Sequence, residues 1–275
     1  MVSQEQRRRQ LAREKFLRQQ QRRTASRRKA RVRNSVIASV LGVVVIGSVA
    51  LYTTGVLKND DKAKASSDVS PSPSAPSKAP DPCAKPAAGS VKKLSWKKEP
   101  AMTVDTSAKY TMKLATTCGD IDLAMKTAAA PHTVNSFAFL AGKGFFDHTK
   151  CHRLTTSGIY VLQCGDPTGS GSGGPGYTIP DENLKDPSLK GNVYPAGTVA
   201  MANTGQKHTG GSQFFLVYQD SQLPPSYTPF GTVSESGMKV LKKIAAAGAQ
   251  PADPSTGNTA PNATVVVNKA SVGKS

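Results

Sequence analysis

The stretch "KYTMKLATTCGDIDLAMK", residues 109–126, alternates apolar and polar side chains on both sides of a short polar interruption. Tyr110, Met112 and Leu114 fall on one face of the first half, and Ile121, Leu123 and Met125 on one face of the second. Period-2 alternation across a Gly- and Asp-containing turn is the pattern of a β-hairpin with one buried face. The spacing changes immediately downstream. In "HTVNSFAFLAGKG", Val134, Phe137, Leu140 and Ala141 share one helical stripe, with Thr133 as the expected cap and Gly142 as the stop.

Strand signals then return. "CHRL" and "IYVLQC" read as two short strands, and the Gly-rich residues 169–176 as a loop. "GTVAMAN", "SQFFLVYQ", "PFGTV" and the closing "ATVVVNKASV" read as further strands. A second helix is expected where Met238, Leu241 and Ile244 recur at helical spacing. Many short strands with only two helices point to a mainly β domain, rolled into a barrel or two sheets, with helices covering the ends. Residues 105–275 are enough for one such core.

Upstream the composition changes twice. Residues 58–104, including "ASSDVSPSPSAPSKAPDP", are rich in Ser, Pro, Ala and Lys with few large apolar groups, and read as a disordered linker. Before it stands "SVIASVLGVVVIGSVALYTTGVL", residues 35–57, without a charge. At 1.5 Å per residue that run is long enough for a hydrocarbon core of about 30 Å, so a transmembrane helix is expected. The following "YTTGVLKND" offers no small-residue cleavage site, which disfavours a signal peptide. Residues 1–34 form a basic tail, with 13 Lys/Arg against Glu5 and Glu14. Positive flanks stay cytoplasmic, so the tail is expected inside and the domain outside. The tail could meet anionic lipid head groups. No nucleic-acid partner is expected.

Four cysteines, Cys83, Cys118, Cys151 and Cys164, follow the expected span, in a compartment that tolerates disulfides. Three complete pairings are open to them. Cys151 and Cys164 flank an apparent hairpin and are plausible neighbours. Their spacing with His152 fits no usual zinc pattern, and no metal or cofactor is expected. "GDPTGSGSGGPGY" lacks the lysine of a phosphate-binding P-loop, and its prolines oppose the helix of a dinucleotide site. No serine has a nucleophile-elbow setting. The domain does not read as a hydrolase.

What remains is a set of carboxamides on apolar strands, Gln163, Asn203 and Gln213, and a single arginine. Arg153 is the only arginine after Arg33, in a region that otherwise uses lysine. The carboxamides can be core groups satisfied by backbone, or the polar anchors of a groove for an extended peptide.

In order along the chain, "FDHTKCHRL", "LQCGDPTG", "GGPGY", "GTVAMANTG", "GGSQFFL" and "YTPFGTV" resemble the cyclophilin family of peptidyl-prolyl isomerases. The resemblance covers about residues 108–272. It implies an eight-stranded antiparallel barrel closed by two helices, with a cleft on the outer surface, and isomerisation of Xaa-Pro bonds without a cofactor. Arg153 matches the catalytic arginine and His152 the histidine beside it. Gln163 matches the substrate-binding glutamine, and Ala202 with Asn203 the pair that meets the peptide backbone. Gln213 and Phe215 match the next wall, and Phe230 is expected to line the proline pocket. Tyr160 and Val161 match an aromatic and a methionine, and Leu223 and Tyr227 fall on the rim. Two extra residues lie between Arg153 and Gln163, and one between Asn203 and Gln213. The rim tryptophan of many members is absent, with Ser221 or Gln222 near its place, so weak cyclosporin binding is expected. The resulting reading is a membrane-tethered, extracytoplasmic isomerase acting on proline-containing exported proteins. The alternative is a non-catalytic proline-peptide chaperone or scaffold.

Overall fold

The computed structural model describes residues 80–254 and 257–275. The basic tail, the expected span at 35–57 and the first part of the linker lie outside the described residues. Among the described residues no helix is long and apolar enough to cross a membrane.

The opening hairpin is formed by β1 (Tyr110–Thr116) and β2 (Gly119–Met125). Tyr110 pairs with Met125, Met112 with Leu123 and Leu114 with Ile121, so the alternating apolar residues of both strands share the buried face. Helix α1 (Pro131–Gly142) follows. Thr133 is not its cap. The helix starts two residues earlier, with proline in the first turn and Ala130 as the cap residue. The orphan backbone donors are satisfied from elsewhere: Glu182 accepts from the amides of His132 and Thr133 at 3.0 and 2.9 Å. A carboxylate is favoured at a helix N-terminus by the helix dipole.

The chain continues through β3 (Thr149–Lys150), β4 (Arg153–Leu154), β5 (Val161–Cys164), β6 (Val193–Tyr194), β7 (Thr198–Met201) and β8 (Phe214–Val217). It ends with β9 (Ser221–Gln222), β10 (Pro229–Val233), helix α2 (Glu235–Ala246) and β11 (Val266–Lys274). Helix α2 is capped by Ser234, whose hydroxyl accepts from the amide of Gly237, and it buries Leu241 and Ile244.

Nine strands form one antiparallel sheet in the order β3-β11-β1-β2-β10-β7-β8-β5-β4. The two end strands are consecutive in the chain, separated by Cys151 and His152 alone, so the sheet rolls back on itself. This corrects the expected count of eight. One stave is split at Cys151–His152, its first half pairing with β11 and its second with β5. A separate ribbon of β6 and β9, absent from the sequence reading, adds the remaining two strands.

Inside the roll, Phe137 of α1 lies 5.3 Å from Phe146, 5.5 Å from Phe214 and 4.6 Å from Phe230, ring centroid to centroid. Burying such rings is the main favourable term in the fold. Disulfides join Cys83 to Cys118 and Cys151 to Cys164.

The described part of the linker differs from the disordered tether expected for it. Residues 80–109 have no regular secondary structure, yet they form a strap fastened to the barrel. Cys83 is bonded to the hairpin turn, the Trp96 amide donates to Pro175 O at 2.8 Å, and the Trp96 ring stands edge-on to Phe139 at 5.0 Å. Asn135 of α1, 1% exposed, accepts from the amides of Thr103 and Val104 and donates to Ala101 O. Composition hid this because the strap is anchored by a few specific contacts rather than by an apolar stripe of its own.

Candidate active site

Strand alternation sorts the side chains of β4, β5, β8 and β7 to two faces. Leu154, Leu162, Cys164, Phe214, Leu216, Val199 and Met201 belong to the interior core. Val161, Phe215, Val217 and Ala200 form a second apolar cluster on the outer face, joined by Tyr194. A period of two residues dictates this division. The register then lines up one row across four strands: Arg153 opposite Gln163, Gln163 opposite Phe215, and Phe215 opposite Ala200.

That row opens into a cleft of about 120 Å³ lined by Arg153, Gln163, Ala202 and Asn203 on its polar side. Its apolar side is Ile159, Val161, Phe215, Leu223 and Tyr227. The polar groups hold one another in a chain. Arg153 Nη1 donates to Gln163 Oε1 at 3.2 Å, Gln163 Nε2 to Gln213 Oε1 at 2.9 Å, and Gln213 Nε2 to Gly173 O at 2.9 Å. No ion pair among the described residues involves Arg153. A guanidinium with five donors and one such bond keeps donors for a ligand. A structural salt bridge between strands does not explain it.

The apolar side is supported from beneath by Tyr194, a residue the sequence reading missed. It is fully buried, its hydroxyl donates to Tyr227 O at 2.8 Å, and it accepts from the Tyr227 amide at 3.2 Å. Burial raises its pKa to about 12, so it stays a neutral donor at ordinary pH. Asn203 is fixed by donating to Ser226 O at 2.8 Å and accepting from the Gly205 amide at 2.9 Å.

Four expected residues lie elsewhere. Phe230 is 0% exposed and belongs to the interior core, against Phe137. The ladder between β10 and β7 slips between Pro229 and Gly231, and a bulge re-aims the side chain it carries. Tyr160, just before β5, does not line the cleft; its ring stands edge-on to Tyr218 and its amide donates to Ser221 Oγ. Ile159, two residues from Val161, takes the cleft position instead. Alternation back from Gln163 would have found it. His152 is 7% exposed in the break between β3 and β4, outside the cleft, and neither ring nitrogen has a hydrogen-bond partner. Burial lowers its pKa, with Arg153 adding to the effect and Asp166 opposing it. Gln213 is set behind Gln163 and lines a neighbouring groove rather than the cleft itself.

That groove, of about 1050 Å³, shares Gln163, Ala202 and Asn203 with the cleft. Its rim is the Gly-rich loop, gathered around Asp166. Burial pushes that carboxyl up, but hydrogen bonds from Thr168, Gly173 and Gly171 outweigh it and leave its pKa below the ordinary value. Gly173 has no room for a side chain, since a Cβ there would overlap Asp166 Oδ1.

A family model for "Cyclophilin type peptidyl-prolyl cis-trans isomerase/CLD" matches residues 111–272, more than half of the chain. The chain is 55% identical over 149 residues to a "Probable peptidyl-prolyl cis-trans isomerase B" of Mycobacterium leprae, covering 51% of this chain and 50% of that protein. It is 41% identical over 125 residues to a "Peptidyl-prolyl cis-trans isomerase B" of Bacillus subtilis, covering 45% and 82%. It spans about half the length of the mycobacterial relatives it matches. A solved Cryptosporidium parvum cyclophilin type isomerase aligns with 61% of this chain and 99% of its own, at 25% identity and a TM-score of 0.48.

Proposed function

Because this chain belongs to the cyclophilin-type peptidyl-prolyl cis-trans isomerase family, we propose that it accelerates rotation about Xaa-Pro bonds, with Arg153 as its catalytic residue. One observation carries the reading: the cross-strand row that sets a guanidinium without an acidic partner beside an apolar, ring-sized cleft.

The prolyl amide resists rotation because the nitrogen lone pair is delocalised into the carbonyl, with a barrier of about 18–20 kcal/mol. Nothing covalent breaks. Catalysis requires only that the twisted amide bind better than either planar isomer. As the bond twists, the nitrogen pyramidalises and its lone pair localises, becoming an acceptor that neither ground state offers. Arg153 is always protonated and, being planar, presents its donors in a rigid fork. Its bond to Gln163, itself anchored through Gln213 to Gly173, fixes that fork before substrate arrives. Phe215, Val161, Ile159 and Leu223 would hold the pyrrolidine ring, a burial of about 2 kcal/mol. Gln163 and the Ala202–Asn203 segment would hold the peptide on one side of the bond while the other side turns.

The uncharged residues 35–57 and their basic flank support a single-pass anchor with the domain outside the cytoplasm. The two disulfides suit an oxidising compartment. Proline-containing exported polypeptides are then the substrates, and anionic lipid is the partner of the basic tail.

The test is cis-trans exchange in a short Ala-Xaa-Pro peptide, followed by NMR, with catalytic amounts of the full chain in detergent micelles under oxidising conditions. Faster exchange than in the peptide alone is the predicted result. Peptide that binds without faster exchange would make this cleft a proline-binding module instead.

A further inference from the structure

The groove beside the cleft is walled on its far side by the strap, through Lys97, Lys98 and Glu99. These residues lie outside the span 111–272 that matches the family, so the wall comes from outside the matched domain. Resting on the isomerase reading above, we infer that Lys97 and Lys98 form a subsite for an acidic side chain of the substrate, two to four residues from the proline.

The strap is pinned on either side of the two lysines. Before them, the Trp96 amide donates to Pro175 O and the Trp96 ring packs on Phe139. After them, Glu99 is held by His132 Nδ1 at 2.7 Å. Lys97 and Lys98 are therefore carried on a fixed segment, although their own side chains are exposed. Neither takes part in an ion pair among the described residues. Glu99 is the one acid on the groove wall, and it is already engaged by His132. The remaining lining is neutral: the Gly-rich loop, Gln213 and the Ala202–Thr204 segment. The wall thus carries two positive charges against the single carboxylate of Glu99, and it faces neutral polar groups.

Reach is consistent with a substrate side chain. The groove is continuous with the cleft through Gln163, Ala202 and Asn203. An extended peptide advances roughly 3.3–3.6 Å per residue, so side chains two to four residues from the proline travel about 7–14 Å along it. A carboxylate there would meet two exposed ammonium groups. Each exposed pair is worth little, so the subsite tunes preference and does not dominate binding.

The experiment compares peptides carrying Glu or Gln at two, three or four residues from a single proline, before it in one set and after it in another. Catalytic efficiency in cis-trans exchange is measured by NMR with the full chain in detergent micelles. At low salt the Glu peptide of one set is expected to exceed its Gln partner by about three- to tenfold. That ratio should fall toward one in about 1 M salt, where the screening length is about 3 Å. The double variant Lys97→Gln, Lys98→Gln should lose the ratio while turning over the Gln peptides at the wild-type rate. A wild-type ratio near one in both sets overturns the inference, as does a ratio that survives in the double variant. If no peptide exchanges faster with wild type, the isomerase reading fails instead. Shift titrations of the same Glu and Gln pairs then still decide whether the basic subsite exists.

Discussion

Asn135→Ala tests the strap at its main hydrogen-bonded anchor. Asn135 Oδ1 accepts from Thr103 N at 2.8 Å, Thr103 Oγ1 at 3.1 Å and Val104 N at 3.3 Å, and its Nδ2 donates to Ala101 O at 3.1 Å. Alanine removes every one of these and leaves two backbone amides without a partner beside a helix that stays folded. A typical hydrogen bond contributes about 1 kcal/mol net, and an abandoned buried donor costs about 1–3 kcal/mol. Water reaching the half-buried amides lowers the total, and about 2–4 kcal/mol is expected. In a domain of this size that corresponds to a loss of about 5–12 °C in melting temperature. Two local probes accompany it. Trp96 is the only tryptophan in the chain and stands on Phe139 and Phe145, so its emission reports whether the strap is docked. Amide exchange at Thr103 and Val104 reports the anchor itself. The variant should show red-shifted Trp96 emission and lost protection at both amides. Unchanged emission, unchanged protection and a melting temperature within about 1 °C of wild type would refute the claim that this asparagine holds the strap.

Two further outcomes follow from the same contacts. Replacing Cys83 and Cys118 by serine reopens a sequence separation of 35, against 13 for Cys151 and Cys164. Chain entropy gives a loss of about 4 kcal/mol for the first pair and about 3 kcal/mol for the second, so denaturant titration should rank the first variant as less stable. His152→Leu should be neutral or stabilising above pH 7, because the native ring buries two nitrogens without partners. The folded pKa of His152 is depressed, so its neutral form is favoured by folding. Wild-type stability is therefore full above the unfolded value of about 6.5 and falls as pH drops below it, whereas the variant should lack that slope. Parallel slopes in the two proteins would contradict this origin.

Much of the architecture was legible because it is written in period. The alternation in residues 109–126 gave both the hairpin and its buried face, and Leu241 with Ile244 gave the second helix. What stayed hidden depends on contacts distant in sequence. Thr133 looks like a cap, yet the cap residue is Ala130, and the first-turn amides are satisfied by Glu182, some fifty residues downstream. The ribbon of β6 and β9 has two residues per strand, too few for periodicity to show. In the candidate site, Arg153 and Gln163 stood out as a lone arginine and a strand carboxamide and Phe215 through the family resemblance, and the register then sets them in one row. Phe230 does not join that row, because a bulge reverses its side. The strap was misread because low apolar content was taken as inability to order, whereas a disulfide, one tryptophan and one buried asparagine are enough to fasten it.

The most direct test of the account is cis-trans exchange of an Ala-Xaa-Pro peptide measured side by side for wild type and Arg153→Ala, with peptide affinity taken from the same spectra. Gln163 keeps its bond to Gln213 in the variant, so the cleft should survive. The account predicts retained peptide binding with exchange slowed about 10²- to 10³-fold, the usual effect of removing a donor aimed at the transition state. Full exchange activity in Arg153→Ala would contradict it.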